Sequence, residues 1–183
     1  LEKLVDYYTD NPDIKLCTML DYDLRLVFSK LDKKLRFCGA GEMTTCYDIE
    51  GNVYPCQGFA PVSIGEEAGA FKNYDASKFD LLKENPCFDC KFFFLCANCY
   101  SANLVTTGCC HLVDINLCYS YRLCILASAK IQFRRIKNKK TELTEDDKLI
   151  LKAISVIQEE ISNNQSRLKG VTGHVCNQHK RCK

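Results

Sequence analysis

The sequence lacks any stretch of 18 or more apolar residues, and it lacks the basic, apolar, then small-residue order of a secretory signal. Neither a transmembrane helix nor export is therefore expected, and a cytoplasmic location is. It also lacks charge of one sign, with 25 basic against 23 acidic residues leaving +2. Nothing in that balance asks for nucleic acid or an anionic membrane as a partner. The chain starts on Leu1 inside a helical pattern, so a fragment of a longer protein is expected.

What is present in excess is cysteine, 14 in 183 residues. A disulfide framework and metal ligation are the two ordinary explanations. Disulfides suit small extracellular domains short of core, whereas this chain is 46% hydrophobic and shows no export signal, so metal is favoured. The densest stretch, CFDCKFFFLCANC, runs from 87 to 99. Cys87-x2-Cys90 and Cys96-x2-Cys99 each let two thiolates from one tight turn reach one centre. Zinc ribbons put a longer loop between their pairs, so the run is expected to be shared between two centres. Cys38, Cys46, Cys56 and Cys118 are the candidates to complete them.

Around this core of thiols the chain divides by texture. Leu1, Leu4, Val5 and Tyr8 fall on one face of a helix that Asn11-Pro12 ends, and Met19 to Leu31 predicts a second amphipathic helix. Met43 to Asp48 and Asn52 to Tyr54 predict a hairpin turning at Gly51. Residues 57–75 read as loop. Asn116 to Lys140 reads as a long helix with a solvated basic end, and Thr144 with Asp147 resembles a capping box opening a helix to about Ser162. That helix carries Leu149, Ala153, Val156 and Ile157 on one face, and the tail beyond it is polar and expected to be mobile.

The ordered series Cys38-x12-Gly51-x4-Cys56, then Cys87-x2-Cys90-x5-Cys96-x2-Cys99, then Cys118, with the local wording CGAG, DIEGNVYPC and LCANCY, resembles the SPASM domain. That domain stands at the C-terminal end of radical S-adenosylmethionine (radical SAM) peptide maturases, and the likeness runs from Phe37 to Cys118. The family usually has three residues between its fifth and sixth cysteines; here Ala97-Asn98 alone intervene, and Cys109 or Cys110 is the substitute for Cys99. The resemblance implies two auxiliary [4Fe-4S] clusters. Cys38, Cys56 and Cys99 would hold the first, with Cys46 or an open iron completing it. Cys87, Cys90, Cys96 and Cys118 would hold the second. Phe92, Phe93 and Phe94 would keep water from both clusters or simply fill a core.

The implied architecture is α+β: a small hairpin and a loop-rich cysteine region held by clusters, flanked by amphipathic helices. The expected domains are 1–36 as a helical linker, 37–140 as the SPASM-like domain, 141–162 as a C-terminal helix and 163–183 as a flexible tail. No C-x3-C-x2-C triplet and no partial barrel are present in the sequence, so cleavage of S-adenosylmethionine would belong to an N-terminal barrel of the same enzyme, and this chain alone is not expected to be active. The expected partners are that barrel and a ribosomally made precursor peptide. The implied role is peptide positioning and electron transfer during thioether or other crosslink formation. The alternatives are a zinc-stabilised module that binds a peptide or protein, and a degenerate SPASM domain that only binds peptide. Cys17 and Cys124 read as buried thiols on helices, and His174, Cys176, His179 and Cys182 as a weak candidate metal set in the tail.

Overall fold

The computed structural model describes residues 1–29, 38–74, 90–96, 98–110 and 113–168. Within these the fold is mixed α+β, with one two-stranded antiparallel sheet, five α-helices and no closed barrel. The chain separates into two compact units. The first draws on the described residues of Leu1–Lys30, Asp89–Cys96 and Asn116–His174, and the second on those of Leu31–Phe88 and Ala97–Ile115. The expected tail metal set and Cys87 lie outside the described residues.

The first unit is helical. Helix α1, Glu2–Asp10, buries Val5 against Leu20, Cys124, Ala127 and Ile131, while Leu1 and Leu4 of its expected apolar face stay exposed. Helix α4, Ile115–Lys137, forms where expected, but its basic end is not simply solvated. Arg134 Nη1 meets Asp6 at 2.6 Å, Lys130 Nζ meets Glu2 at 2.6 Å, and Arg135 donates to the Tyr8 carbonyl at 2.7 and 3.0 Å. The guanidinium of Arg135 thus satisfies a carbonyl in the last turn of α1, which no residue of that helix can reach.

The helix expected over Met19 to Leu31 does not form across the described part. A 3-10 helix, Leu24–Phe28, stands there instead, preceded by a turn. Asp23 caps it: its carboxylate accepts the Arg25 backbone N–H at 3.1 Å and also holds the Arg25 guanidinium. Leu24 and Val27 still reach the main core, with Phe92, Leu95, Ile125, Ala129, Ala153, Ile154 and Ile157.

Helix α5, Glu145–Leu168, opens on the expected capping box. Thr144 Oγ1 accepts the Asp147 N–H at 3.1 Å and Asp147 Oδ2 accepts the Thr144 N–H at 3.0 Å. Three of the four residues of the expected face reach the core, Ala153 and Ile157 buried and Val156 packed against it. Ala153, Ile154 and Ile157 are buried and Ile150 packs beside them, whereas Leu149 is exposed.

The second unit is built on the hairpin. Strands β1, Cys46–Tyr47, and β2, Val53–Tyr54, pair in the register Cys46 to Tyr54 and Tyr47 to Val53. Gly51 takes φ +82° in the turn, as the sequence requires. Residues read as loop are largely helical turns: a 3-10 turn over Gln57–Phe59, helix α2 over Pro61–Ile64 and a 3-10 helix over Gly65–Phe71. Apolar residues at 59, 68 and 71 explain this, because Phe59, Ala68 and Phe71 join Tyr54, Tyr100 and Leu104 in one core. Helix α3, Tyr100–Thr107, closes on Gly108 at φ +72°.

Asp147 carries a testable consequence. Its carboxyl is buried, and the Lys139 ammonium with the Thr144 N–H and hydroxyl holds its pKa at about 2. A carboxylate whose folded pKa lies below its ordinary value stabilises the protein above that ordinary value, and the contribution is lost as pH falls toward 2. Asp147→Asn should therefore flatten the acid limb of the melting-temperature profile below pH 4, and Thr144→Ala should cost about 1 kcal/mol at neutral pH. Circular-dichroism melts across pH would check both, and parallel acid limbs for Asp147→Asn and wild type would refute the first.

Candidate functional site

The cysteines sort by unit. Cys38, Cys46, Cys56 and Cys99 belong to the second unit, and Cys90, Cys96 and Cys118 to the first. In the second unit Cys56 ends the extended stretch after β2 and Cys99 caps α3, with Ser101 in the first turn of that helix. Cys99 Sγ and Ser101 Oγ share a hydrogen bond of 3.2 Å. Gly58 faces the same point: a Cβ there would strike the Ser101 side chain and sit 3.6 Å from Cys56 Sγ. The start of α3 is fixed further by Asn98, whose Oδ1 accepts the Cys99 N–H at 2.9 Å. Cys46 points its thiol at the Tyr47 carbonyl, 3.7 Å away, and Cys38 is exposed.

In the first unit Cys90 and Cys118 lie near one another with Arg122 and Glu160. Burial pushes the Cys90 thiol up, the Phe92 backbone and Arg122 pull it down, and Cys118 and Glu160 push it up again. The net direction is upward, which favours thiol over thiolate. Cys96 lies instead by Tyr22, whose hydroxyl is pushed up to about 12 by burial first and then by Cys124 and Cys96. Cys124 is buried as expected, but Cys17 is exposed, lies in no helix and meets the Tyr8 hydroxyl.

These positions overturn the expected cofactors. Among the described residues no group of three or more His, Cys, Asp or Glu side chains converges as a metal would require, so the donors do not fit two [4Fe-4S] clusters. Cys99 bonds the Ser101 hydroxyl, Cys90 and Cys118 are accompanied by charged side chains, and Cys46 faces its own strand. Of the phenylalanines expected to shield clusters or fill a core, Phe92 packs with Leu24, Leu95 and Ile125, with the Arg122 guanidinium 5.4 Å from its ring centroid, Phe93 is buried and Phe94 is half-buried.

Beside the thiols, the hairpin turn is the most fully bonded polar feature of the second unit. Asp48 accepts from the Glu50 and Asn52 N–H groups at 3.0 and 2.8 Å, from Asn52 Nδ2 at 2.8 Å and from the Tyr54 hydroxyl at 3.0 Å. Desolvation raises its pKa, but the Asn52 side chain and backbone, with Tyr54 and Glu50, bring it down to about 2. The outer side of β2 is occupied as well. Asn73 Oδ1 takes the Val53 N–H at 3.4 Å, the Asn73 N–H donates to the Val53 carbonyl at 2.8 Å, and the Gly41 N–H donates to the Pro55 carbonyl at 2.7 Å.

Sequence reasoning missed Ser101, Arg122 and Asp48. The spacing of Arg122 four residues after Cys118 on a predicted helix was a usable signal, as was Asp48 four before Asn52 around a glycine turn. Ser101 gave none, because its place depends on the distant Gly58.

No family model, no curated protein and no solved structure matches this chain. No described helix is long and apolar enough to cross a membrane.

The packing of Gly58 on Ser101 can be tested directly. Gly58→Ala should destabilise the fold by about 1–3 kcal/mol, since the new methyl has no room. Adding Ser101→Gly should recover part of that loss in urea denaturation, and an unchanged midpoint for Gly58→Ala would show that the two segments do not pack.

Proposed function

We propose that this chain is a SPASM-like accessory domain of a radical SAM peptide maturase, and that its share is to hold the substrate peptide for a catalytic barrel supplied by the same enzyme. The observation that carries this reading is the meeting of Cys56, at the end of the hairpin, with the start of α3 at Cys99 through Ser101 and Gly58. The series Cys38-x12-Gly51-x4-Cys56 with a later Cys99 rests on that same pairing of hairpin and helix start. Gly51 supports it too, because its left-handed φ of +82° gives the glycine of the series a physical reason.

The electron relay implied by clusters is not carried over, since among the described residues the donors do not close around a metal. Positioning is what the remaining chemistry suits. The second unit offers a rigid hairpin locked by Asp48, with exposed apolar side chains at Met43, Tyr47 and Ile49. Recognition by such a surface needs no cofactor, and the chain by itself performs no bond-making step.

The deciding experiment is the coding sequence on the N-terminal side of Leu1. A continuous reading frame carrying a C-x3-C-x2-C triplet is expected. A continuous frame without that triplet, or a stop codon with no such barrel encoded nearby, would overturn the reading.

A further inference from the structure

In the second unit two thiols from distant parts of the chain border one small space. Cys56 stands at the end of the extended stretch that follows β2, and Cys99 stands at the N-cap of α3. Cys99 Sγ and Ser101 Oγ are 3.2 Å apart. A Cβ on Gly58 would meet that Ser101 oxygen first and would lie 3.6 Å from Cys56 Sγ. The missing side chain at position 58 thus leaves a space on which Cys56 and Ser101 both border. Cys56 and Cys99 each keep part of their surface in solvent, whereas Cys109 and Cys110 of the same unit are buried.

The surroundings of Cys99 suit negative charge on its sulfur. The N-terminus of a helix carries partial positive charge, and no side chain caps the first turn of α3. The Cys99 N–H is held by Asn98 Oδ1 at 2.9 Å, which fixes the backbone of the cap residue. Once the thiol has lost its proton, the Ser101 hydroxyl is the member of the pair that donates. Cys56 has no such helix start beside its own backbone, because it stands in extended geometry before a 3-10 turn.

We propose that Cys56 and Cys99 form a thiol–disulfide exchange site that takes a low-molecular-weight disulfide of the glutathione class, with Cys99 as the attacking thiol and Cys56 as the resolving one. The Cys99 thiolate attacks one sulfur of the oxidant, whose S–S bond breaks, and the other half leaves as a thiolate that takes up the proton Cys99 gave up. Cys56 then loses its proton and attacks the Cys99 sulfur of the mixed disulfide, expelling the second half as a thiol. Two protein thiols become one disulfide and one small disulfide becomes two thiols, so two electrons and two protons pass to the oxidant.

Closing that bond withdraws the Cys99 sulfur from Ser101, a residue only 7% exposed, and leaves its hydroxyl without that partner. An unmatched buried polar group disfavours the oxidised form, so excess thiol reverses the link and it is no permanent staple. Oxidation ties the segment after β2 to the start of α3, and reduction releases it. The site stands on the second unit alone, whatever the upstream coding sequence contains.

The test uses the full chain, reduced and then freed of reductant under argon, with oxidised glutathione as the probe. After timed exposure, acid quenching and blocking with N-ethylmaleimide, chymotryptic peptides sequenced by mass spectrometry without reductant should show Cys56 linked to Cys99 before any other pair. Excess reduced glutathione should return both thiols. In Cys56→Ser the mixed disulfide with glutathione should accumulate on Cys99, and in Cys99→Ser no internal disulfide should form at Cys56. Limiting iodoacetamide should modify Cys99 about tenfold faster than the exposed Cys17, and Ser101→Ala should slow that reaction while the far-ultraviolet spectrum stays unchanged. Should a variant unfold, the mapping and the alkylation rates on wild-type protein decide instead. A first link that joins other cysteines, or a Cys56–Cys99 link that excess reduced glutathione leaves intact, overturns the exchange site. Glutathione held on Cys56 in place of Cys99, or equal alkylation of Cys99 and Cys17, overturns Cys99 as the attacking thiol.

Discussion

Backbone hydrogen-bonding groups that no long sheet or helix can satisfy are the constraint on which this structure depends. Among the described residues only four lie in strands, and several helices are one or two turns long. Buried donors and acceptors left unmatched cost more than most single contacts return, so side chains must take the place of a ladder. Asp48 does so for the hairpin turn, Asp147 and Thr144 for the start of α5, Arg135 for the end of α1, and Asn103 for the Cys110 carbonyl at 3.0 Å. Each is a polar residue whose removal would expose a backbone group, which is why small polar side chains and one arginine matter here as much as the apolar core.

This constraint explains what could be read from the sequence and what could not. Local devices were legible: the Thr144 and Asp147 box, the glycine turn at Gly51 and the long apolar periodicity of α4 each depend on residues within a few positions. Features set by distant partners were not. The amphipathic pattern after Asp23 forms only a short 3-10 helix, whose Leu24 and Val27 are held by a core built from distant segments. Phe59, Ala68 and Phe71 draw a glycine-rich stretch into helical turns because a core awaits them, with the rings of Phe59 and Phe71 4.5 Å apart. The exposure of Leu149 on α5 has the same origin, since the surface the helix packs against sets where its apolar face ends.

The cysteines show a different limit. Spacing reports how close two thiols are along the chain, and metal binding needs four directions to converge in space. Cys99 bonds a serine and Cys90 lies in the field of an arginine, and among the described residues no three donors close into a coordination shell. Elsewhere cysteine behaves as a small apolar residue. Cys110 and Cys124 are buried in separate cores beside aliphatic and aromatic side chains. A high cysteine count therefore overstated metal because it summed two uses of one residue type.

The contrast between the two edges of the hairpin follows from the same accounting of backbone groups. Closing the β2 edge takes a side-chain amide and two backbone contacts, all supplied from residues 41 and 73. Nothing in the geometry forbids an equivalent closure of β1, yet Thr45 and Tyr47 are exposed and flanked by apolar side chains that water does not favour. Water completes the outward groups of an exposed strand residue such as Tyr47, whereas Val53 has Asn73 to do so, and the two strands differ in partner and not in demand.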